Sequence, residues 1–380
     1  MAKKSRRKKK KQQQRVPSLY EDLVVEILSR VPYRSLCRFK CVSRSWYDLC
    51  SDPDLRKKSP QTLSGFFCYS RDDNLNQDLS RRFLNLSGRG LPLVDPSLPF
   101  LRGLGYADVI VLQCCGGLLL CDCSKSSPYD TDYIVCNPVT QKWTVLPDTE
   151  ELHHRMNRIR LAFDPAVPSC FYVFLFVRHD FYGIVQVEIY SSETGVWISR
   201  ESEWGNFTDV NDEAEHVFFN GTLYAITPKL SLVTVDTEGK IWRKIRTPHS
   251  YVRPRLMKDE AFIAHCQGHL YAMHIDFRND NQLSVWVFKA DGNEQWTLKH
   301  TTSITKLLGR QQYGQREFYH LIAAHSEQNL IFLTGGAYEE LLSYDMDNQE
   351  AHVICTLQKY FHGPMLPYTP CFAEWPSDGC

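Results

Sequence analysis

One short motif recurs along most of the chain: an apolar run, a polar turn, and a tryptophan that restarts apolar character. It places Trp143 in VCNPVTQKWTVL, Trp197 in EIYSSETGVWIS, Trp242 in VTVDTEGKIWRKI and Trp296 in VWVFKADGNEQWTL. A fifth copy, LLSYDMDNQEAHVI, has His352 in the tryptophan's place, and the successive spacings are 54, 45, 54 and 56 residues. Ahead of each copy lies another turn followed by a strand-like run: GGLLLCDC, SCFYVFLFV, NGTLYAIT, QGHLYAMHI and QNLIFLTG. Upstream of those come VIVLQ, IRLAFD, HVFF, AFIAH and YHLIAA. One unit is therefore four strands in about 45–55 residues, the period of a β-propeller blade. A single blade exposes both faces, and stacking blades in a ring buries them. A fully buried large apolar side chain is worth about 1.5–3 kcal/mol. A tryptophan at one place in four blades is accordingly expected to contribute strongly to packing between blades.

Five blades are readable in this way. GFFCYS and RRFLNLS, between residues 65 and 110, predict either a sixth, irregular blade or a strand that closes the ring with FHGPMLPYTPCFAEW near the C-terminus. The expectation is about six blades, with five to seven allowed.

The first 58 residues are of another kind. Residues 1–15 hold 9 of the 44 Lys and Arg and no acid, leaving the remainder with a net charge of −9. Like charges without apolar residues predict a disordered basic tail, read equally as a nuclear-import signal or a solvated end. The acidic remainder does not suit a nucleic-acid-coating surface. Residues 16–58 predict three short helices. Leu19, Leu23 and Ile27 recur at i, i+4, i+8, with Val24, Leu28 and Val31 on the next stripe. Ser18 and Glu21 form a capping box at the start, and Pro32 ends the helix. Leu36 and Phe39, then Val42, Trp46, Leu49 and Cys50, mark two more helices. About 40 residues cannot enclose apolar groups on so many faces. Some of Leu19, Leu23, Ile27, Leu28, Leu36 and Trp46 must remain open to a partner or to the next domain. Residues 59–64 read as a linker and 65–380 as the all-β propeller.

Several function classes find no support. The longest apolar run, CFYVFLFV, is strand-sized and too short for a bilayer, and no apolar secretory stretch opens the chain. The 14 cysteines lack C-x-x-C spacing and are read as buried small hydrophobes in a reducing compartment, nuclear or cytoplasmic. No phosphate loop, H-E-x-x-H or G-x-S-x-G motif occurs. No cofactor, catalytic residue or metal site is expected. His153, His154, His265, His269 and His274 read as loop and strand residues. Asp164, Asp236 and Asp345, which follow apolar strands, read as turn formers rather than channel acids. Three loops, 178–183, 202–207 and 309–318, carry Tyr, Trp or Arg suited to binding a partner at the propeller rim.

The order of parts resembles a known family. VPSLYEDLVVEILSRVPYRSLCRFKCVSRSWYDLCSDPDL resembles an F-box, and CNPVTQKWTVLP, LAFDPA and EIYSSETGVW resemble the plant F-box-associated, kelch-like propeller. The F-box usually has Pro after its first Leu, where this chain has Tyr20. The resemblance implies an F-box that docks on a Skp-type adaptor and through it a cullin. The propeller then presents a protein substrate for ubiquitination and degradation. It places Pro17, Leu19, Leu23, Ile27, Leu28, Pro32, Leu36, Val42 and Trp46 at or behind the adaptor interface. Binding by helical anchors in a groove is the matching physics. A propeller hydrolase, or a non-degradative scaffold with a helical cap, is the other reading.

Overall fold

The computed structural model describes residues 21–31, 33–52, 55, 63–71, 79–86, 94–125, 130–149, 152, 158–165, 169–211, 214–248, 261–277, 279–289, 295–309, 317–336, 339–357 and 361–372. Two compact units emerge, residues 1–60 and 61–380.

Among its described residues the first unit holds three helices, α1 (Glu21–Ser29), α2 (Tyr33–Phe39) and α3 (Arg44–Ser51). Ser43, in extended conformation, caps α3 by accepting a hydrogen bond from the Trp46 amide. This satisfies one of the amide donors left free at a helix start. Val42 sits in the turn before α3 rather than on the helix. The Ser18–Glu21 capping box, Pro32, Tyr20 and the basic tail lie outside the described residues.

Among the described residues the second unit has 23 strands in six sheets. The first blade is β3 (Asp108–Cys115), β4 (Leu118–Ser124), β5 (Thr131–Asn137) and β6 (Lys142–Val145). The second is β7 (Ile159–Phe163), β8 (Phe171–His179), β9 (Gly183–Ser191) and β10 (Val196–Glu201). The third is β11 (His216–Phe219), β12 (Thr222–Ile226), β13 (Leu232–Asp236) and β14 (Trp242–Ile245). The fourth is β15 (Ala261–Cys266), β16 (His269–Asp276), β17 (Gln282–Lys289) and β18 (Gln295–Ser303). The fifth is β19 (Tyr319–Ala324), β20 (Leu330–Gly335), β21 (Glu340–Asp345) and β22 (Glu350–Thr356). Each of these is an antiparallel meander in chain order. The sixth shows three strands among the described residues, with β1 (Gly65–Arg71) paired to β2 (Leu79–Asn85) on one side and to β23 (Phe361–Tyr368) on the other. Both sequence expectations for the ends thus hold together: the early strands form an irregular blade, and the late strand completes it.

Closure of the ring is visible in which strands touch. β3 meets β7, β7 meets β11, β11 meets β15, β15 meets β19, β19 meets β23, and β23 returns to β3. Six apolar clusters fill the spaces between successive blades. β8 shows why an unbroken apolar run is needed: Phe171, Val173 and Leu175 face the first blade, and Phe174 and Phe176 face the third. Alternate side chains leave opposite faces of a strand, and here both faces are buried.

The tryptophans play a smaller part than full burial would give them. Trp143, Trp197, Trp242 and Trp296 lie on the outermost strands and are half-buried. Each packs against the cluster shared with the preceding blade. Trp197 Nε1 donates to the Pro147 carbonyl at 2.8 Å and Trp296 Nε1 to the Arg246 carbonyl at 2.9 Å, both in the preceding blade. They fasten the rim rather than fill the core.

Near the axis, side chains join strands of different blades where no backbone ladder does. Gln113 Nε2 donates to the Ile159 carbonyl, and its Oε1 accepts from the Leu161 amide at 2.8 Å. His216 Nε2 lies 2.8 Å from the Leu161 carbonyl. Tyr69 Oη accepts from the Val111 amide at 2.8 Å. After β23 the chain runs on to the first blade, where buried Asn137 donates through Nδ2 to the Cys371 carbonyl at 2.8 Å. Gly117 admits it: a Cβ there would stand 2.5 Å from both the Thr369 carbonyl oxygen and the Cys371 amide.

Candidate functional site

Two places present apolar groups to solvent in an organised way, one in each unit. In the first unit, Leu23 and Ile27 are one helical turn apart on α1 and therefore share a face. They are 53% and 54% exposed. Val42 and Tyr47 are also exposed. Trp46 is half-buried and packs edge-on against Phe39, with ring centroids 5.6 Å apart. Leu28 and Leu36 are buried, as are Cys50 and Leu55. The apolar positions named from sequence therefore divide. Leu23, Ile27 and Val42 stand open, whereas Leu28 and Leu36 are closed off and can act only from behind a surface. Pro17, Leu19 and Pro32 lie outside the described residues. Periodicity alone does not separate the two sets, because adjacent apolar stripes on so short a helix face different surroundings. Tyr47 was missed because it falls between the apolar positions of α3.

In the second unit, strand direction groups the rim loops. In an antiparallel four-strand blade, the turn between the second and third strands and the connector to the next blade fall at the same end. Loops 178–183 and 202–207 are that turn and that connector for the second blade, and 309–318 is the connector after the fourth. The first two loops are bonded together. The Phe207 amide donates to the Tyr182 carbonyl at 2.8 Å, and the Ile184 amide to the Thr208 carbonyl at 2.7 Å. Gly183, at φ +78°, permits this approach, since a Cβ would stand 2.2 Å from the Thr208 carbonyl oxygen. Phe181 (76%), Tyr182 (48%) and Phe207 (71%) project from the joined loops. His179 packs beside Tyr182, with ring centroids 4.9 Å apart.

Trp204 is a correction. The sequence presents it as a rim residue, but it is buried. Its Nε1 donates to the Thr234 carbonyl at 2.9 Å, and its ring meets Trp242 edge-on at 4.9 Å. It anchors the loop from beneath. In 309–318, Phe318 is exposed and meets Phe277 edge-on at 5.4 Å, while residues 310–316 lie outside the described set.

The ionisable groups near the axis were not foreseen. Arg160 is buried on β7 and donates to the Ile159 carbonyl at 3.0 Å and the Asn211 carbonyl at 3.3 Å. Beside it, burial pushes the Glu215 carboxyl up to about 7, with Arg160 opposing the shift. Burial, reinforced by the Arg160 charge, holds His216 down to about 3. The ring is neutral over the physiological range, so its Nε2–H donates to Leu161. The available signal was the charge of Arg160 inside the apolar run IRLAF.

Two of the three aspartates, Asp236 and Asp345, do what turn chemistry asks. Asp236 Oδ1 accepts from the Lys240 and Ile241 amides, and Asp345 Oδ1 from the Asp347 and Asn348 amides. Backbone and side-chain hydrogen bonds from Asn348 hold the Asp345 carboxyl below its ordinary value. His265 stacks on Phe219 at 4.0 Å. Among the described residues no group of three or more His, Cys, Asp or Glu is placed to hold a metal. No helix among them is long and apolar enough to cross a membrane.

Comparison with known proteins gives two family matches. Residues 16–58 match the F-box domain, and residues 97–366 match the family described as F-box protein At3g26010-like, beta-propeller. Relatives include the F-box protein At5g07610 of Arabidopsis thaliana, 27% identical over 76% of this chain and 71% of that protein. The F-box protein At5g49610 of the same plant is 26% identical over 76% of this chain and 80% of its own length. A post-proline cleaving enzyme from Rickettsia typhi covers 90% of this chain and 58% of its own, at 11% identity and a TM-score of 0.43. At that distance no chemistry carries over.

Proposed function

The chain belongs to the F-box proteins with an At3g26010-like β-propeller, and from that membership we propose that it is the substrate receptor of a Skp–cullin–F-box ubiquitin ligase. In this reading the leading helical unit docks on a Skp-type adaptor and through it a cullin. The propeller holds a protein substrate for ubiquitination and proteasomal degradation. The chain itself makes no covalent bond to ubiquitin or to substrate.

The observation that carries the reading is the open pair Leu23 and Ile27 within the F-box match. Two large aliphatic groups one turn apart, each about half in water, gain from burial in an apolar groove. Each contributes about 1–1.5 kcal/mol on covering its remaining surface. Leu28 and Leu36 act by holding the helices that present the pair. Val42 and Trp46 belong to the same proposed interface, as do Pro17, Leu19 and Pro32 by their place in the F-box pattern.

The test is co-expression with a Skp-type adaptor, followed by reconstitution with cullin. The wild-type chain should co-purify with the adaptor, and Leu23→Asp should abolish this while circular dichroism stays unchanged. A folded chain without adaptor affinity defeats the receptor reading. A chain that binds adaptor and partners but never promotes their ubiquitination is a scaffold instead.

A further inference from the structure

We propose that the joined loops 178–183 and 202–208 of the second blade dock an extended, basic polypeptide segment in which Lys or Arg alternates with aliphatic residues. This deepens the receptor reading and rests on it, because the segment would be the part of the substrate that the propeller holds.

Three observations converge. The first is the exposed aromatic trio Phe181, Tyr182 and Phe207, set on loops fixed to each other by two backbone hydrogen bonds and the close approach at Gly183. Rings on a rigid base lose little freedom on binding, which is why aromatic groups dominate recognition surfaces.

The second is that Phe207 has φ +62°. A bulky side chain is disfavoured there, whereas Gly or Asn is readily accommodated. The position therefore combines a disfavoured backbone conformation, held by the loop-joining bond from the Phe207 amide to Tyr182, with an exposed ring. The ring itself is not buried by the fold, which leaves it open to a partner.

The third is charge. Asp180 and Glu203 are exposed on the same two loops. Of the cations nearby, Arg178 is charge-paired through its Nε with Asp209 Oδ2 at 3.0 Å, and Lys244 Nζ is held away by donating to Thr208 Oγ1 at 2.7 Å, keeping its charge. Electron-rich ring faces on loops that also carry exposed carboxylates favour a cation, by cation–π attraction and by Coulomb complementarity. The same charges repel nucleic-acid phosphates and acidic peptides. The aliphatic residues of the segment would cover the flat ring surfaces between cations.

The test uses the full chain, expressed alone and together with its adaptor. Fluorescence anisotropy is read with a labelled peptide alternating Arg with Leu, and with its counterpart alternating Glu with Leu. The basic peptide should bind, weaken with added salt, and exceed the acidic one by about tenfold or more. Phe181→Ser with Phe207→Ser should lower affinity for the basic peptide about tenfold. Asp180→Lys with Glu203→Lys should reverse the preference between the peptides. Phe207→Gly separates function from fold: it should keep or raise the thermal midpoint while weakening the basic peptide. Equal binding of the two peptides, or full affinity in the double Phe variant, overturns the proposal. Adaptor co-purification that persists in that outcome leaves the receptor reading intact. Failure of co-purification with selective peptide binding overturns the receptor reading instead and leaves the docking surface standing.

Discussion

Replacing Glu215 by Gln should remove one specific component of the propeller's pH dependence. Burial holds the Glu215 carboxyl up to about 7 against an ordinary value of 4.5. The folded chain therefore keeps a proton that the unfolded chain releases earlier. The stability attached to this group is complete below about 4.5 and is lost as pH rises through about 7. That interval, at about 1.4 kcal/mol per pH unit, corresponds to about 3 kcal/mol. The residue as a whole is only half-buried, so solvent screens part of this, and about 1–2 kcal/mol is the working figure. Gln matches the protonated carboxyl in shape and cannot ionise. The assay is denaturant unfolding followed by tryptophan emission, since seven of the eight tryptophans lie beyond residue 60. Wild type and variant should be nearly equal at about pH 5, and the variant should exceed wild type by about 1–2 kcal/mol at about pH 8. Arg160 and the low-titrating His216 are common to both chains and largely cancel. A constant offset between the two chains across this range would refute the argument.

Other substitutions separate fold from function. Leu36→Ala, at a fully buried position, should cost about 2–5 kcal/mol and melt the leading unit. Leu23→Ala, at an exposed one, should change helicity little, and thermal circular dichroism distinguishes the two. Trp204→Ala empties a buried site and removes the hydrogen bond to the Thr234 carbonyl, for an expected loss of about 3–5 kcal/mol in urea unfolding. Gly117→Ala should lower the propeller's thermal midpoint, because the new methyl meets backbone on the closing segment. Fusing residues 1–15 to a fluorescent protein and imaging its distribution tests whether the basic tail acts in nuclear import.

Much of the ring is legible in the sequence because its strands are local and punctuated. LAFDP, NGTLY and TEGKIW each pair an apolar or alternating run with a turn residue of defined conformation, such as Asn220 at φ +49° and Gly239 at φ +65°. What stays hidden is whatever depends on distant contacts. The sixth blade joins Phe66 to Pro367 and Phe67 to Leu366 across about 300 residues, and no local pattern announces which edge receives β23. Trp204 reads as a rim residue because its neighbours Glu203, Gly205 and Asn206 are polar. Its burial comes from Thr234 and Trp242 on the next blade. In the helical unit, Leu23 and Leu36 look alike in sequence, and only packing decides that one is open and the other closed.

The sixth blade also sets an order of events during synthesis. β23 emerges from the ribosome after the other 22 strands, yet it occupies the innermost place beside β19 and β3. Until it arrives, the nascent ring has an unsealed seam, with the backbone edge of β1 and the apolar side chains Phe66 and Phe67 lacking their cover. Such an edge is a template for pairing with another chain. The newborn protein should therefore depend on chaperones to a degree that its mature, sealed form does not, and a premature stop codon ahead of residue 361 should yield aggregates rather than a shortened receptor.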